Sequence, residues 1–97
     1  MAIQSFVDRA AQELFETGKA RKKIGWSNIR KIVLRKLDML HYAHKLDDLR
    51  SPPGNHLELL KGNLEGFYSI RINEQWRVIF DWTESGPANV EIIDYHK

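Results

Sequence analysis

The sequence predicts an α+β fold, because its apolar residues change period once along the chain. Before residue 42 they recur at helical spacing. After Asn55 they alternate, and aromatic and β-branched residues gather. The run Ser51-Pro52-Pro53-Gly54-Asn55 marks the change, since two prolines and a glycine end any helix and favour a turn. With 97 residues, 42% of them hydrophobic and 29% charged, the chain reads as one globular domain over 1–97 with a single modest core.

The first element is a short strand opening over Ile3 to Phe6. Asp8 then reads as an N-cap for a helix running to about Glu16, with Ala10, Ala11, Leu14 and Phe15 on its apolar stripe and Gly18 as the stop. Residues 18–25, GKARKKIG, lack periodicity and are expected to form a mobile basic loop. In the second helix Trp26, Ile29, Val33, Leu37 and Leu40 recur at spacings of 3, 4, 4 and 3, with Ser27 as the expected N-cap. Lys31 and Arg35 fall on its opposite side.

Beyond Asn55 a short strand is expected around Leu57 and Leu59, alternating with Glu58 and Leu60 and ending by Lys61-Gly62-Asn63. Phe67 to Ile72, Trp76 to Trp82 and Asn89 to about Tyr95 are stronger strands, with a turn at 84–87. Patterning also selects the register of the central hairpin. A two-residue loop pairs Ile72 with Gln75 and drives Arg77 among Tyr68, Ile70 and Ile72. A three-residue loop over 73–75 pairs Ile72 with Trp76 instead, placing Tyr68, Ile70, Ile72, Trp76, Val78, Phe80 and Trp82 on one face. Ser69, Arg71, Arg77 and Asp81 then share the other face, and this second register is the one expected.

Several function classes are excluded or weakened by composition. There is no cysteine, so disulfides, thiolate metal sites and a cysteine nucleophile are absent, and a reducing cytoplasm fits. The N-terminal stretch carries Asp8 and has no long apolar core, so it does not read as a signal peptide. The longest apolar runs are the three-residue stretches 32–34 and 78–80, so no membrane span is expected. His41 and His44 sit a helical turn apart without a further ligand at convincing spacing, and no metal site is expected. No phosphate-cradling glycine loop or serine-hydrolase elbow is present.

Net charge is only +2, yet eight basic residues and no acid lie between Lys19 and Lys36. Lys22, Lys23, Arg30, Lys31 and Arg35 are candidate RNA contacts on this stretch, against the plainer reading of a solvated helix face. Arg71 and Arg77, held together on a rigid sheet, are suited to a phosphate or a pentacoordinate phosphorane, because each guanidinium offers a fixed fork of donors. The plainer alternative pairs Arg77 with Asp81 or Glu91. Glu58 is suited either to proton transfer or to holding arginine geometry, and in the terminal Asp94-Tyr95-His96 the tyrosine and histidine are suited to proton transfer or base stacking, against the plainer reading of a frayed tail.

Taken together, four runs resemble HigB-type toxins of the RelE superfamily. They are 49–58 (LRSPPGNHLE), 60–63 (LKGN), 68–80 (YSIRINEQWRVIF) and 90–96 (VEIIDYH). The resemblance implies a small α+β ribonuclease fold, with two N-terminal helices packed on one face of a mostly antiparallel twisted sheet. It implies metal-independent mRNA cleavage on the ribosome by a monomer without cofactors, and neutralisation by a HigA-type helix-turn-helix antitoxin through which alone operator DNA is contacted. By the same resemblance Arg77 takes the scissile phosphate. Arg71 matches a basic position on the preceding strand if the connecting loop differs from RelE by one residue. Lys61 matches the basic residue of the Leu-Lys-Gly segment, and Asp94, Tyr95 and His96 match the terminal catalytic or stacking motif. The departure is Glu58, where some relatives carry histidine. Here His56 precedes it by two residues on the same alternating face, and the identity of the general base stays open. The competing reading is a non-catalytic RNA- or ribosome-binding module, for which the lack of an unambiguous acid/base pair speaks; a protein–protein adaptor is weaker, because the aromatic residues fall on the core face.

Overall fold

Two helices cover one face of an antiparallel sheet in the computed structural model, which describes residues 2–95. Helix α1 spans Arg9–Thr17. Asp8 caps it as expected, its Oδ1 accepting from the Ala11 N–H at 3.1 Å, and Gly18 ends it at φ 76°, where a β-carbon is costly. Helix α2 spans Arg30–Tyr42. Its start differs from the expectation. Ser27 begins a single 3-10 turn, Ser27–Ile29, and its hydroxyl donates to the Lys22 carbonyl at 3.3 Å, so Ser27 does not cap α2. The apolar spacing runs unbroken from Trp26, which is why the sequence concealed this tighter first turn.

The four strands form a meander, β1 Glu58–Leu59, β2 Tyr68–Arg71, β3 Trp76–Thr83 and β4 Gly86–Asp94, hydrogen-bonded in that order. Tyr68 pairs with Phe80, Ile70 with Val78 and Arg71 with Arg77, which is the register of the three-residue loop. The Ile72 N–H closes that loop on the Trp76 carbonyl at 2.9 Å. Inside it, Asn73 Oδ1 accepts from the N–H groups of Gln75 and Trp76, both at 2.8 Å.

The expected opening strand is reduced to one bridge, Phe6 to Val90, parallel to β4. Backbone bonds from Gln4 to Pro87 and between Val90 and Ser5 extend this seam. Asp8 ties it further, since its Oδ2 accepts from the Ile92 N–H at 3.2 Å while Oδ1 caps α1. β4 begins three residues earlier than expected. The register shifts between Ile79 and Asp81 of β3, where Asn89, at φ 53°, and Val90 of β4 stand opposite Phe80 alone, and this bulge in β4 lets pairing continue to Gly86.

The core lies between the helices and the sheet. Leu14, Trp26, Val33, Leu37 and Leu40 meet Ile70, Ile72, Val78, Phe80, Val90 and Ile92, all buried, with Tyr68, Trp76 and Trp82 packed at the margin. The basic loop is built into this core. Ala20 and Ile24 pack against it, and a β-carbon at Gly25 would lie 2.9 Å from the Trp76 ring. The strand expected near Leu57 is shorter than its alternation suggested. Leu60 is buried and Leu59 is 55% exposed, because β1 pairs for only two residues before Gly62–Leu64 turns as a 3-10 segment.

Candidate functional site

Arg77 is the centre of the second sheet face. It is 8% exposed, an unusual degree of burial for arginine unless its charge is satisfied. Its Nη1 donates to Ser69 Oγ at 2.6 Å and to the His56 carbonyl at 3.3 Å, and lies 3.0 Å from Glu58 Oε1. Tyr95 places its ring 4.7 Å from the guanidinium carbon, a cation–π contact that covers the flat face of the group. Four segments of chain thus converge on one side chain. β3 carries it, β2 supplies Ser69, the segment ending in β1 supplies His56 and Glu58, and the residue after β4 supplies Tyr95.

Each partner has a local cause. Ser69 is fully buried, and its register brings it beside both Glu58 and Ile79. His56 holds the left-handed conformation at φ 46°, closing the 3-10 turn Pro53–Asn55. That turn hangs on Asn55, which is 0% exposed. Asn55 Nδ2 donates to the carbonyls of Leu49 at 3.1 Å and Ser51 at 3.4 Å, and its Oδ1 accepts from Lys36 Nζ at 2.6 Å. Burial, then the neighbouring Arg35 charge, push the Lys36 ammonium below its usual pKa.

Arg71 stands directly across from Arg77. The Ile72–Trp76 bond makes this a non-hydrogen-bonded pair, in which Cα atoms approach to about 4.5 Å. The two side chains diverge from there. Arg71 turns toward the hairpin loop, where Nε donates to the Asn73 carbonyl at 3.2 Å and Nη2 lies 4.0 Å from Glu74. Asp94 accepts from Gln75 Nε2 at 3.0 Å, and the Tyr95 N–H donates to the Gln75 carbonyl at 2.6 Å, fastening the end of β4 to the same loop. Glu58, Leu59, Leu60, Lys61, Leu64 and Tyr95 line a cleft of about 360 Å³.

The alternative pairing of Arg77 with Asp81 or Glu91 is replaced by one with Glu58, since Arg77 extends across β2 toward β1 and away from the bulge. The fold also separates two groups of expected residues. Arg77, Arg71, Glu58, Tyr95, Asp94 and Lys61 share the site or its rim. Lys22, Lys23, Arg30, Lys31 and Arg35 are exposed on the helical layer, across the sheet from Arg77. There Lys19, Lys22, Ser27 and Arg30 line a groove of about 560 Å³. His96 lies outside the described residues. His41 serves the core: its Nδ1 accepts from the Ile3 N–H at 3.2 Å and its ring packs on Phe15 and Tyr42. Among the described residues no group of three or more His, Cys, Asp or Glu is placed to hold a metal. Among the described residues no helix is long and apolar enough to cross a membrane.

Comparison with known proteins places this chain in a family. Residues 4–96 match the family model described as RelE-like toxin of type II toxin-antitoxin system HigB. The chain belongs to the HigB-like toxin family. It is 41% identical over 97 residues to Toxin HigB-1 of Vibrio cholerae serotype O1, covering 100% of this chain and 99% of that protein. It is 40% identical over 93 residues to an uncharacterised protein of Haemophilus influenzae, covering 96% and 90% of the two chains. The solved structure of a YoeB/ParE toxin from Agrobacterium tumefaciens shares the fold, with a TM-score of 0.52, 20% identity and complete coverage of both chains. As a HigB-like toxin of a type II system, the protein has an antitoxin as its implied partner.

Three contributors to the candidate site have no functional signature in the sequence: Ser69 falls on the arginine face by alternation alone, the His56 contact is a backbone carbonyl, and Asn55 reads as a turn residue. A polar residue on the arginine face, flanked by apolar neighbours, was the available signal for Ser69.

Proposed function

We propose that this HigB-like toxin is a ribosome-dependent, metal-independent mRNA endoribonuclease of the cytoplasm, neutralised by a HigA-type helix-turn-helix antitoxin. The observation that carries the reading is Arg77: a guanidinium held on the sheet by Ser69 and His56 and capped by an aromatic ring beside an open cleft. Such an arrangement suits a phosphodiester. In the reaction the ribose 2′-oxygen attacks the adjacent phosphorus, forms a 2′,3′-cyclic phosphate and expels the 5′-oxygen. Arg77 stabilises the charge that grows on the phosphorane, and Arg71, opposite it in register but turned toward the hairpin loop, adds positive charge at the edge of the site. Proton transfers fall to groups drawn from Glu58, Tyr95 and His96, with Asp94 orienting the terminal segment. A sparse acid/base set suffices where the ribosome holds the mRNA in line. Lys61 lies beside the RNA path, and the basic residues from Lys22 to Arg35 hold ribosomal RNA.

The test adds purified protein to a defined translation reaction and maps new mRNA 5′ ends, with Arg77→Ala and ribosome-free controls. Cleavage within codons is expected to need both ribosomes and Arg77, whose loss lowers turnover by about 10²–10³ while weakening binding far less. Cleavage without ribosomes discards ribosome dependence and keeps the nuclease. Absence of cleavage with ribosome binding intact replaces the reading with a non-catalytic module.

A further inference from the structure

We infer that Glu58 is an internal stand-in for the RNA phosphate, an electrostatic gate that occupies Arg77 until substrate displaces it. The inference rests on the phosphodiester reading above and changes the part Glu58 plays in it. Arg77 Nη1 carries two hydrogens and faces three acceptors. The hydrogens are directed at Ser69 Oγ, 2.6 Å away, and at the His56 carbonyl, 3.3 Å away. Glu58 Oε1 lies 3.0 Å from the same nitrogen and is held there by charge. Removing it therefore leaves both Nη1 hydrogens satisfied and the guanidinium in place.

The two side chains differ in freedom. The Arg77 side chain is 10% exposed and keeps three contacts that do not involve Glu58, with Ser69, the His56 carbonyl and the Tyr95 ring, whereas the Glu58 side chain is 46% exposed. Glu58 also stands on the two-residue strand β1, at the margin of the sheet. It can swing into water at little cost, while Arg77 cannot. Glu58 also lines the cleft, together with Lys61 and Tyr95. A phosphate entering that cleft meets a carboxylate already placed at anion distance from Arg77, so the two anions compete for one cation. With Glu58 in place the cleft discriminates against weakly held anions. A strand positioned by the ribosome displaces it.

The experiment measures binding of a fluorescent 2′-O-methyl RNA dodecamer, which cannot be cleaved, to wild type, Glu58→Gln, Arg77→Ala and the double variant at several salt concentrations. Single-turnover cleavage on programmed ribosomes is followed in parallel. Glu58→Gln is expected to tighten binding about tenfold at low salt, equivalent to about 1.4 kcal/mol, and to raise cleavage at sub-saturating ribosomes. The gain is expected to vanish when Arg77 is also removed. Two outcomes overturn the gate while the RNA reading stands. One is unchanged or weaker binding by Glu58→Gln while Arg77→Ala still loses affinity. The other is a hundredfold fall in cleavage at unchanged affinity, which makes Glu58 the general base. If Arg77→Ala binds like wild type and no variant supports cleavage, the phosphodiester reading fails and the gate fails with it.

Discussion

Replacing Asn55 with alanine is expected to unfasten the turn that delivers His56 and Glu58 to Arg77. Asn55 is fully buried, and its amide serves the Leu49 carbonyl with a donor and the Lys36 ammonium with an acceptor. Leaving the carbonyl without a donor costs about 1–3 kcal/mol, and losing a hydrogen bond to a charged group costs about 1.5–3 kcal/mol. Lys36 is only partly buried and recovers some hydration, so about 3 kcal/mol is the expected sum. For a chain of this size that corresponds to a fall of about 12–24 °C in Tm. Thermal and urea unfolding measure it, and a double-mutant cycle with Lys36→Met isolates the shared bond. Lys36→Met also removes an ammonium that burial disfavours, so its own cost is smaller and the coupling is expected near 1 kcal/mol or above. A cost for Asn55→Ala below about 1 kcal/mol, or strict additivity with Lys36→Met, would refute the reasoning.

Gly25→Ala is expected to lower stability by about 1–3 kcal/mol, because its β-carbon would lie 2.9 Å from two atoms of the Trp76 ring; a Tm equal to wild type rejects that packing. Asp48 sits below its ordinary pKa of 3.8 chiefly because the His44 backbone N–H donates to it, at 2.9 Å, with Lys45 assisting. A depressed carboxylate stabilises the fold above its unfolded pKa and loses that contribution as pH falls through the folded value. The urea midpoints of wild type and Asp48→Asn should therefore differ at neutral pH and converge in acid, and a constant gap contradicts the assignment. Neutralising Lys22 and Lys23 together is expected to weaken ribosome binding several-fold at about 0.1 M salt and to flatten its salt dependence. Affinity matching wild type under those conditions removes the basic loop from the ribosome contact.

How far the sequence disclosed this molecule depended on the range of each interaction. The hairpin register was legible because one choice buried Ile70, Ile72, Val78 and Phe80 together and the other did not. Helix α1 was legible from Asp8 and Gly18, whose roles are set by their immediate neighbours. The α2 start was not, because Trp26 and Ile29 satisfy a 3-10 turn as well as a helical one. The pairing of Arg77 was visible as a face and invisible as a partner. Its reach across β2 to Glu58 depends on where β1 ends, and Leu59 and Leu60 offered two equally apolar ways of ending it. The Lys36–Asn55 bond joins residues 19 positions apart on different elements, and no local pattern announces it.

The seam that joins residues 4–8 to β4 has a consequence for when the candidate site forms. Its bonds from Asn89 to Ser5 and from Ile92 to Asp8 each close a loop of 84 residues. Helix α1 cannot dock its capped end until β4 has been synthesised, and Tyr95, which covers Arg77, follows β4 directly. Contacts this distant in sequence form late. The cluster around Arg77 therefore cannot be complete before the seam closes, so its assembly is tied to the slowest contacts of the fold and not to the local hairpin that carries the arginine.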